Sequence, residues 1–354
     1  MAPESQRQEI SSIHTRKSAL EQVSGARTIP AALQSNTRVT SGVRSSNGTR
    51  REAGENGEPM LTLQEHVVDG ILNPTFAQFQ RTVSASKGCC SLKSLDWSQG
   101  TPNYSDPFVQ QLYVLKYYWA YLCEYRTLYA TLLPLLDGEP PNVISIGAGS
   151  EVDLAGLYFA SGQSEHINYH GYDVVDWQIK PNLPTAARKF THGCASGLAC
   201  TSPSPSNVIL FPKSLGDITQ PAFEAIKNAF QTTSFTARRL VLASVHPASD
   251  NPARYRTDVA RFRELVEIMG AKTRRKVLDN SHPHSPFQNV GYWWALYPIS
   301  LPKPLLTYVT NIYAECPTRL SKGKSCKADC PTILGRSPTL NNDNVRFQYV
   351  GFEQ

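Results

Sequence analysis

The chain has 354 residues, 40% of them hydrophobic and 18% charged, enough to bury one large core beside a tail or to build two small domains. A formal net charge of +6 suits an acidic partner such as RNA or DNA, yet falls short of the footprint of a dedicated nucleic-acid binder. No apolar run approaches the length of a bilayer span, which excludes a helical membrane protein.

Met1–Pro59 is rich in Ser, Arg, Gln, Thr and Gly, with apolar residues scattered singly. Such a stretch cannot bury enough surface to offset the entropy of ordering, so residues 1–58 are expected to be a disordered tail. No signal-peptide core follows the first residues. Glu4, Glu9 and Glu21 argue against an acid-poor transit peptide, and a cytoplasmic protein is expected.

Residues 59–140 read as a helical extension. LTLQEHVVDGIL and NPTFAQFQRTV predict two short helices, with Asp69-Gly70 and Asn73-Pro74 as breakers. After a loop at Ser91–Asp106, a long helix is expected over Pro107–Leu136, stopped by Pro140 and Pro141. It sets Tyr113, Tyr117, Tyr121, Tyr125 and Tyr129 four residues apart, a stripe that drifts slowly around the helix. The ladder is either a packing face or a lid over a pocket, with Tyr117, Tyr121 and Tyr125 lining that pocket.

From residue 141 to 354, strands alternate with helices in the manner of a parallel sheet. In NVISIGAGSEVDLAGLYFA (Asn142–Ala160) a short apolar strand stops at Gly147-Ala148-Gly149, and an amphipathic helix begins at once. A second strand, within INYHGYDVVDW (Ile167–Trp177), ends in Asp173. Glycines let a backbone approach a ligand closely, and the helix N-terminus after them offers free amide donors. An acid at the tip of the next strand is placed to accept both hydroxyls of a ribose. The unit reads as a nucleoside-cofactor site built from Ser145, Gly147, Gly149, Asp153, Asp173 and Val174. A dinucleotide fingerprint also wants a glycine where Val152 stands, so that match fails.

The block resembles motif I of the class I S-adenosylmethionine (SAM) dependent methyltransferases, with HGYDVVDW in the place of their ribose-binding acid. The resemblance runs from about Pro141 to Gln354, and its first third carries the specific motifs. It implies an α/β fold with a Rossmann-like, seven-stranded, mostly parallel sheet and helices on both faces. SAM would be the cofactor and methyl transfer the activity. Two positions depart from the pattern. Ser145 stands where the motif usually has an acid, and Glu151 where a third glycine is common. Two other readings stay open: a methyltransferase-like protein that binds SAM without catalysis, and an NAD- or FAD-dependent oxidoreductase.

Downstream strands are expected at Ala187–Thr191, Asn207–Phe211, Arg238–His246, Lys276–Leu278 and Val345–Glu353. Helices are expected at Pro221–Gln231, at Ala253–Met269 with Gly270 as its cap, and at Leu305–Glu315. Ligands bind at the carboxyl ends of such strands, which picks out the loops Gly147–Asp153, Asp173–Trp177, Gly193–Ala199 and Phe211–Asp217. By the resemblance, the last of these borders the methyl acceptor. Its Phe211-Pro212-Lys213-Ser214 is not the Asn/Asp-Pro-Pro-aromatic motif of amino-methylating nucleic-acid enzymes. There Lys213 would lower the pKa of an acceptor hydroxyl, and Asp217 is either a base or the cap of a helix starting near Thr219. His246, at the end of a buried strand, is a third catalytic candidate. The acceptor is left open among RNA, protein and small molecules, and the sequence does not address oligomeric state.

Eight cysteines without a secretory signal argue for thiols or metal rather than a disulfide framework. Cys316, Cys326 and Cys330 lie in an insertion at about 316–340 with C-x9-C-x3-C spacing. They are metal candidates only if His282 or His284 completes the set, and free loop thiols otherwise. Cys89, Cys90, Cys123, Cys194 and Cys200 are assigned no chemistry.

Overall fold

The computed structural model describes residues 61–85, 102–185, 187–193, 203–247, 252–273, 276–280, 291–293, 299–305, 307 and 345–353. The expected tail, Cys89 and Cys90, the loop past Gly193 with Cys194 and Cys200, His282 and His284, and the insertion with Cys316, Cys326 and Cys330 lie outside the described residues.

The N-terminal helices begin at a capping box, with the Thr62 hydroxyl accepting from Glu65 N and the Glu65 carboxylate accepting from Thr62 N. The turn α1 (Leu63–Glu65) runs into a π-helical segment, His66–Leu72, and then into α2 (Asn73–Ala85). The expected break does not occur. Asn73 N bonds Val68 O, a π register, and Pro74 falls in the first turn of α2 where its missing N–H costs little. The long helix α3 (Pro107–Leu132) starts at Asp106, whose carboxylate accepts from Phe108 N at 2.8 Å, with Pro107 at the first position. A 3-10 turn, Leu133–Leu136, ends it.

The sheet follows. β1 (Asn142–Ile146), β2 (Asn168–Asp173), β3 (Ala187–His192), β4 (Val208–Pro212) and β5 (Arg239–Pro247) are parallel, in the order β3-β2-β1-β4-β5. β8 (Val345–Glu353) then runs antiparallel against β5, and β6 (Lys276–Asn280) pairs with its other side. A three-residue strand, β7 (Gly291–Trp293), pairs β8 off the main path, so the expected seven strands have one short addition. The central strands read as near-continuous apolar runs because helices cover both faces. β4, VILFP, is buried throughout.

One face packs α3 and α4 (Val152–Ala160) over Val143, Tyr169, Leu210, Val241 and Phe347. The other packs α5 (Gln220–Thr232) and α6 (Pro252–Thr273) over Ile144, Ile209, Leu242 and Phe352. Gly156 lets α3 and α4 approach. A side chain there would begin 2.5 Å from Tyr125 Cβ and 2.8 Å from Arg126 N. Gly270 does not cap α6, which continues to Thr273. One interior glycine costs about 1 kcal/mol and does not by itself stop a helix. Of the helix expected at Leu305–Glu315, residues 303–305 and 307 are helical and the remainder lies outside the described residues.

Candidate functional site

Strand order reverses between β1 and β4, and the carboxyl ends of β1, β2 and β4 converge there. At the tip of β1 the chain turns through Gly147, with φ at +77°. Its amide and that of Ala148 both bond Tyr172 O, at 2.7 and 3.0 Å. A side chain at Gly147 would begin 2.3 Å from Ser214 Cβ, so the turn and the β4 loop touch only because residue 147 has none.

Asp173 closes the turn from the tip of β2. One carboxylate oxygen accepts from Gly149 N and the other from Val175 N, both at 2.8 Å. Each oxygen keeps acceptor capacity for a further donor. Burial pushes this carboxyl above the usual carboxylate range, while the Val175 and Gly149 amides, the Trp177 indole and Lys180 oppose the shift. The adjacent Val174 is 69% exposed, a bare apolar side chain at a strand tip.

Ser145 and Asp153 meet behind the turn rather than in front of it, and both are fully buried. The Tyr169 hydroxyl donates to the Asp153 carboxylate, at 3.0 and 3.1 Å to its two oxygens. Burial raises Asp153 to about 7, against hydrogen bonding with Ser145 and Tyr169 that lowers it. Glu151, at the position expected for a third glycine, takes a left-handed conformation with φ at +54° and is the N-cap of α4. Its buried carboxylate is ion-paired with Arg188 of β3. Glu151 and Asp153 thus both open α4 with their carboxylates turned into the interior, one onto Arg188 and the other onto Tyr169.

The β4 loop supplies the opposite wall. Lys213 is also left-handed, φ +56°, a conformation that costs a side-chain-bearing residue about 1–2 kcal/mol. Its ammonium pairs with the buried Glu124 of α3 and lies 3.5 Å from the centroid of the Tyr121 ring. Arg261 of α6 donates to Leu215 O and Ile218 O, at 2.8 and 2.6 Å, and so fixes the loop from below. Asp217 is exposed. It does not cap α5, since Thr219 holds the N-cap position without a side-chain cap bond. His246 points the other way, into the interior between β5 and α6, where its Nδ1 lies 3.3 Å from Asp258 Oδ2.

Across the top runs an aromatic group that sequence reasoning only half found. Tyr113, Tyr117 and Tyr121 of α3 are half-buried, and Tyr117 stacks on Tyr121 at 5.1 Å with 9° between their planes. Tyr113 also meets Tyr104 and Trp177, at 5.5 and 5.1 Å between centroids. The expected trio is thus shifted by one rung. Tyr125 is buried against Gly156 in the α3–α4 contact, and Tyr113 faces the site in its stead. Gln110 clamps the β2 loop to α3, donating to Asp176 O at 3.0 Å and to Tyr104 O at 2.9 Å, and accepting from Gln178 N at 2.9 Å. The spacing of four marked the ladder, but nothing local to the sequence tied Gln110, Glu124 or Trp177 to it.

Among the described residues no three metal-ligating side chains gather, and no helix is long and apolar enough to cross a membrane.

No protein-family model matches the chain, and neither does any curated protein. Among solved structures it is similar to the plantazolicin methyltransferase BpumL in complex with SAH, at 9% identity over 78% of this chain and 99% of that one, with a TM-score of 0.35. It is also similar to a SAM-dependent methyltransferase from Archaeoglobus fulgidus, at 12% identity over 65% and 94% of the two chains, TM-score 0.32. A third is the Burkholderia thailandensis 1,6-didemethyltoxoflavin-N1-methyltransferase, at 12% identity over 65% and 78%, TM-score 0.33. Likeness this distant has no bearing on activity.

Proposed function

We propose that this protein is a SAM-dependent methyltransferase. The observation that carries the reading is Asp173. Its carboxylate stands at the tip of β2 beside the glycine turn, each oxygen holding one backbone amide and free to take one ribose hydroxyl. Val174 offers an exposed apolar surface next to it for an adenine ring. Gly147 and Gly149 give the backbone its close approach, and Ser145 and Asp153 support the turn from behind.

Local sequence favours SAM over a dinucleotide. Val152 stands where a dinucleotide fingerprint has its third glycine, and Glu151, its buried carboxylate paired with Arg188, holds the N-cap of α4. The sheet also departs from the dinucleotide-binding order, because an antiparallel β8 is wedged between β5 and β6.

SAM would supply an electrophilic methyl group on a sulfonium. The chain's part is alignment and the handling of one proton. Lys213, ion-paired with Glu124, would stabilise an acceptor oxygen as it loses its proton. Asp217, exposed on the same loop, is the base in this reading, since His246 is buried against Asp258. The acceptor itself is unassigned among RNA, protein and small molecules.

Calorimetric titration with SAM, S-adenosylhomocysteine and NAD tests the cofactor. SAM or its product should bind, and NAD binding in their stead would overturn the proposal. Incubation with radiolabelled SAM and fractionated cell extract then reads transfer. Tight binding with no labelled fraction would favour the non-catalytic reading that the missing acid at Ser145 suggests.

A further inference from the structure

The loop that carries Lys213 and Asp217 is held by α6 in a way that a plain structural contact would avoid. Arg261 is 9% exposed, and burying a guanidinium is costly unless its charge is matched. Among the described residues, however, its hydrogen bonds all go to neutral oxygens. Nη1 donates to Leu215 O at 2.8 Å and to Ile218 O at 2.6 Å, and Nη2 donates to Gln220 Oε1 at 3.2 Å. The Phe223 ring lies against the guanidinium, its centroid 4.9 Å from Cζ. The same two helices are also joined by Lys227, which reaches Glu224 of α5 and Glu264 of α6 at 2.9 and 3.0 Å, an ordinary surface staple. Arg261 has another task. One of its nitrogens ties together the two ends of the turn from Leu215 to Ile218.

A second contact from α6 meets the middle of that turn. Asp258, one helical turn before Arg261 and 2% exposed, sets its Oδ1 2.1 Å from where a side chain on Gly216 would begin, and its Oδ2 lies 3.3 Å from His246 Nδ1. The start of the loop is held from the sheet. The Ser214 hydroxyl donates to Ile146 O, and Ser214 O accepts from Asp217 N at 2.9 Å and from Ile218 N at 3.2 Å. Lys213 sits at the head of these anchors with φ at +56°, a conformation that persists where the surroundings over-determine it.

We propose that Arg261 is a positioning residue for methyl transfer: by holding Leu215 O and Ile218 O it sets where Lys213 and Asp217 stand toward the acceptor. This rests on the methyltransferase reading above and adds to it a residue that acts through the loop alone. Transfer depends on alignment, and a displacement of about 1 Å at the reacting groups costs about a hundredfold in rate. SAM affinity is less sensitive to Arg261. The loop meets the glycine turn through Ser214, whose bond to Ile146 O does not involve the guanidinium.

The test uses the full chain with radiolabelled SAM and fractionated cell extract, read as the initial rate of label transfer, beside calorimetric titration with SAM. The proteins compared are the parent, Arg261→Met, Arg261→Lys and Lys227→Met. Arg261→Met keeps apolar bulk over Phe223 and should transfer about tenfold to a hundredfold more slowly, with SAM affinity within about threefold of the parent's. Arg261→Lys should recover a large part of the rate, because both carbonyl bonds come from one nitrogen, which an ammonium can imitate. Lys227→Met removes the surface staple between the same helices and should transfer at the parental rate. An unchanged rate in a folded Arg261→Met overturns the proposal. So does a fall in rate matched by an equal fall in SAM affinity, or a lysine variant no faster than the methionine one. Should Arg261→Met lose its melting transition, Gly216→Ala replaces it, since its methyl would force the loop away from Asp258. Slower transfer at parental SAM affinity is then expected, and an unchanged rate again refutes. A parent protein that binds SAM but labels no fraction overturns the transferase reading instead, a result distinct from equal rates in parent and variant.

Discussion

Replacing Asp173 by alanine separates a ligand effect from a structural one, because the carboxylate has both kinds of partner. In the structure it accepts from Gly149 N and Val175 N, each at 2.8 Å. Those amides lose their acceptor in Asp173→Ala. Water can replace it at this half-buried strand tip, so the cost is about 1–2 kcal/mol, or a fall of several degrees in melting temperature. The ribose hydroxyls lose a charged acceptor as well. Bonds to charged groups are worth about 1.5–3 kcal/mol each, which predicts SAM binding weaker by about tenfold to several hundredfold. The assay is calorimetric titration well below the melting temperature of the variant, with circular dichroism to show that the fold persists. Asp176→Ala is the control. Its carboxylate is exposed and reaches only Lys180, at 4.0 Å, a pair worth about 0–1 kcal/mol, and the backbone bond to Gln110 is untouched. Normal SAM affinity in a folded Asp173→Ala would remove the central assignment. Equal losses in both variants would show that the loop matters and the carboxylate does not.

Gly156→Ala should cost about 1–3 kcal/mol, since its methyl would begin 2.5 Å from Tyr125 Cβ and 2.8 Å from backbone; a melting temperature unchanged within a degree would show that α3 and α4 are not in close contact. Asp153 has a folded-state pKa of about 7, raised by burial, so the folded state keeps a proton that the unfolded chain has released. Stability should therefore fall as pH rises from about 4 to 7, and Asp153→Asn should remove that part of the slope in urea unfolding. A slope unaltered by the substitution would refute the assignment. Lys213→Met should destabilise by about 3–5 kcal/mol, because the buried Glu124 loses its cation, and Glu124→Gln in the same chain should recover most of it; simple additivity of the two changes in a double-mutant cycle would rule out the pairing.

The parts of this molecule that were legible in its sequence are those fixed at short range. Asn142–Ala160 carries its own strand, turn and helix, and Asp173 follows within one supersecondary unit. The rest depended on partners distant along the chain. Tyr125 and Tyr113 look alike in the ladder. Which one faces the site is decided by Gly156, which draws Tyr125 into the helix contact. Lys213 read as a loop residue beside the acceptor, and only the fold brings Glu124 to it across 89 residues of sequence. Local rules also gave way to context. Asp69-Gly70 and Asn73-Pro74 carry breaker chemistry, yet a π register let the helix run through them. Asp217 had the right residue type for a cap, but the N-cap of α5 falls two residues later, at Thr219.

The placement of β8 bears on how the molecule is made. Residues 345–353 are synthesised after every other described strand, yet they lie inside the sheet, with β5 on one side and β6 on the other. A growing chain can pair β1 to β5 as they emerge, but β5 must wait with a hydrogen-bonding edge exposed for about a hundred residues of synthesis. Unpaired edges of apolar strands template aggregation, and pairings this far apart in sequence form slowly. Loss of β8 would strip an interior seam rather than trim a border, leaving β5 open and β6 without its neighbour. Folding of the sheet is therefore served by protection of the β5 edge until β8 arrives.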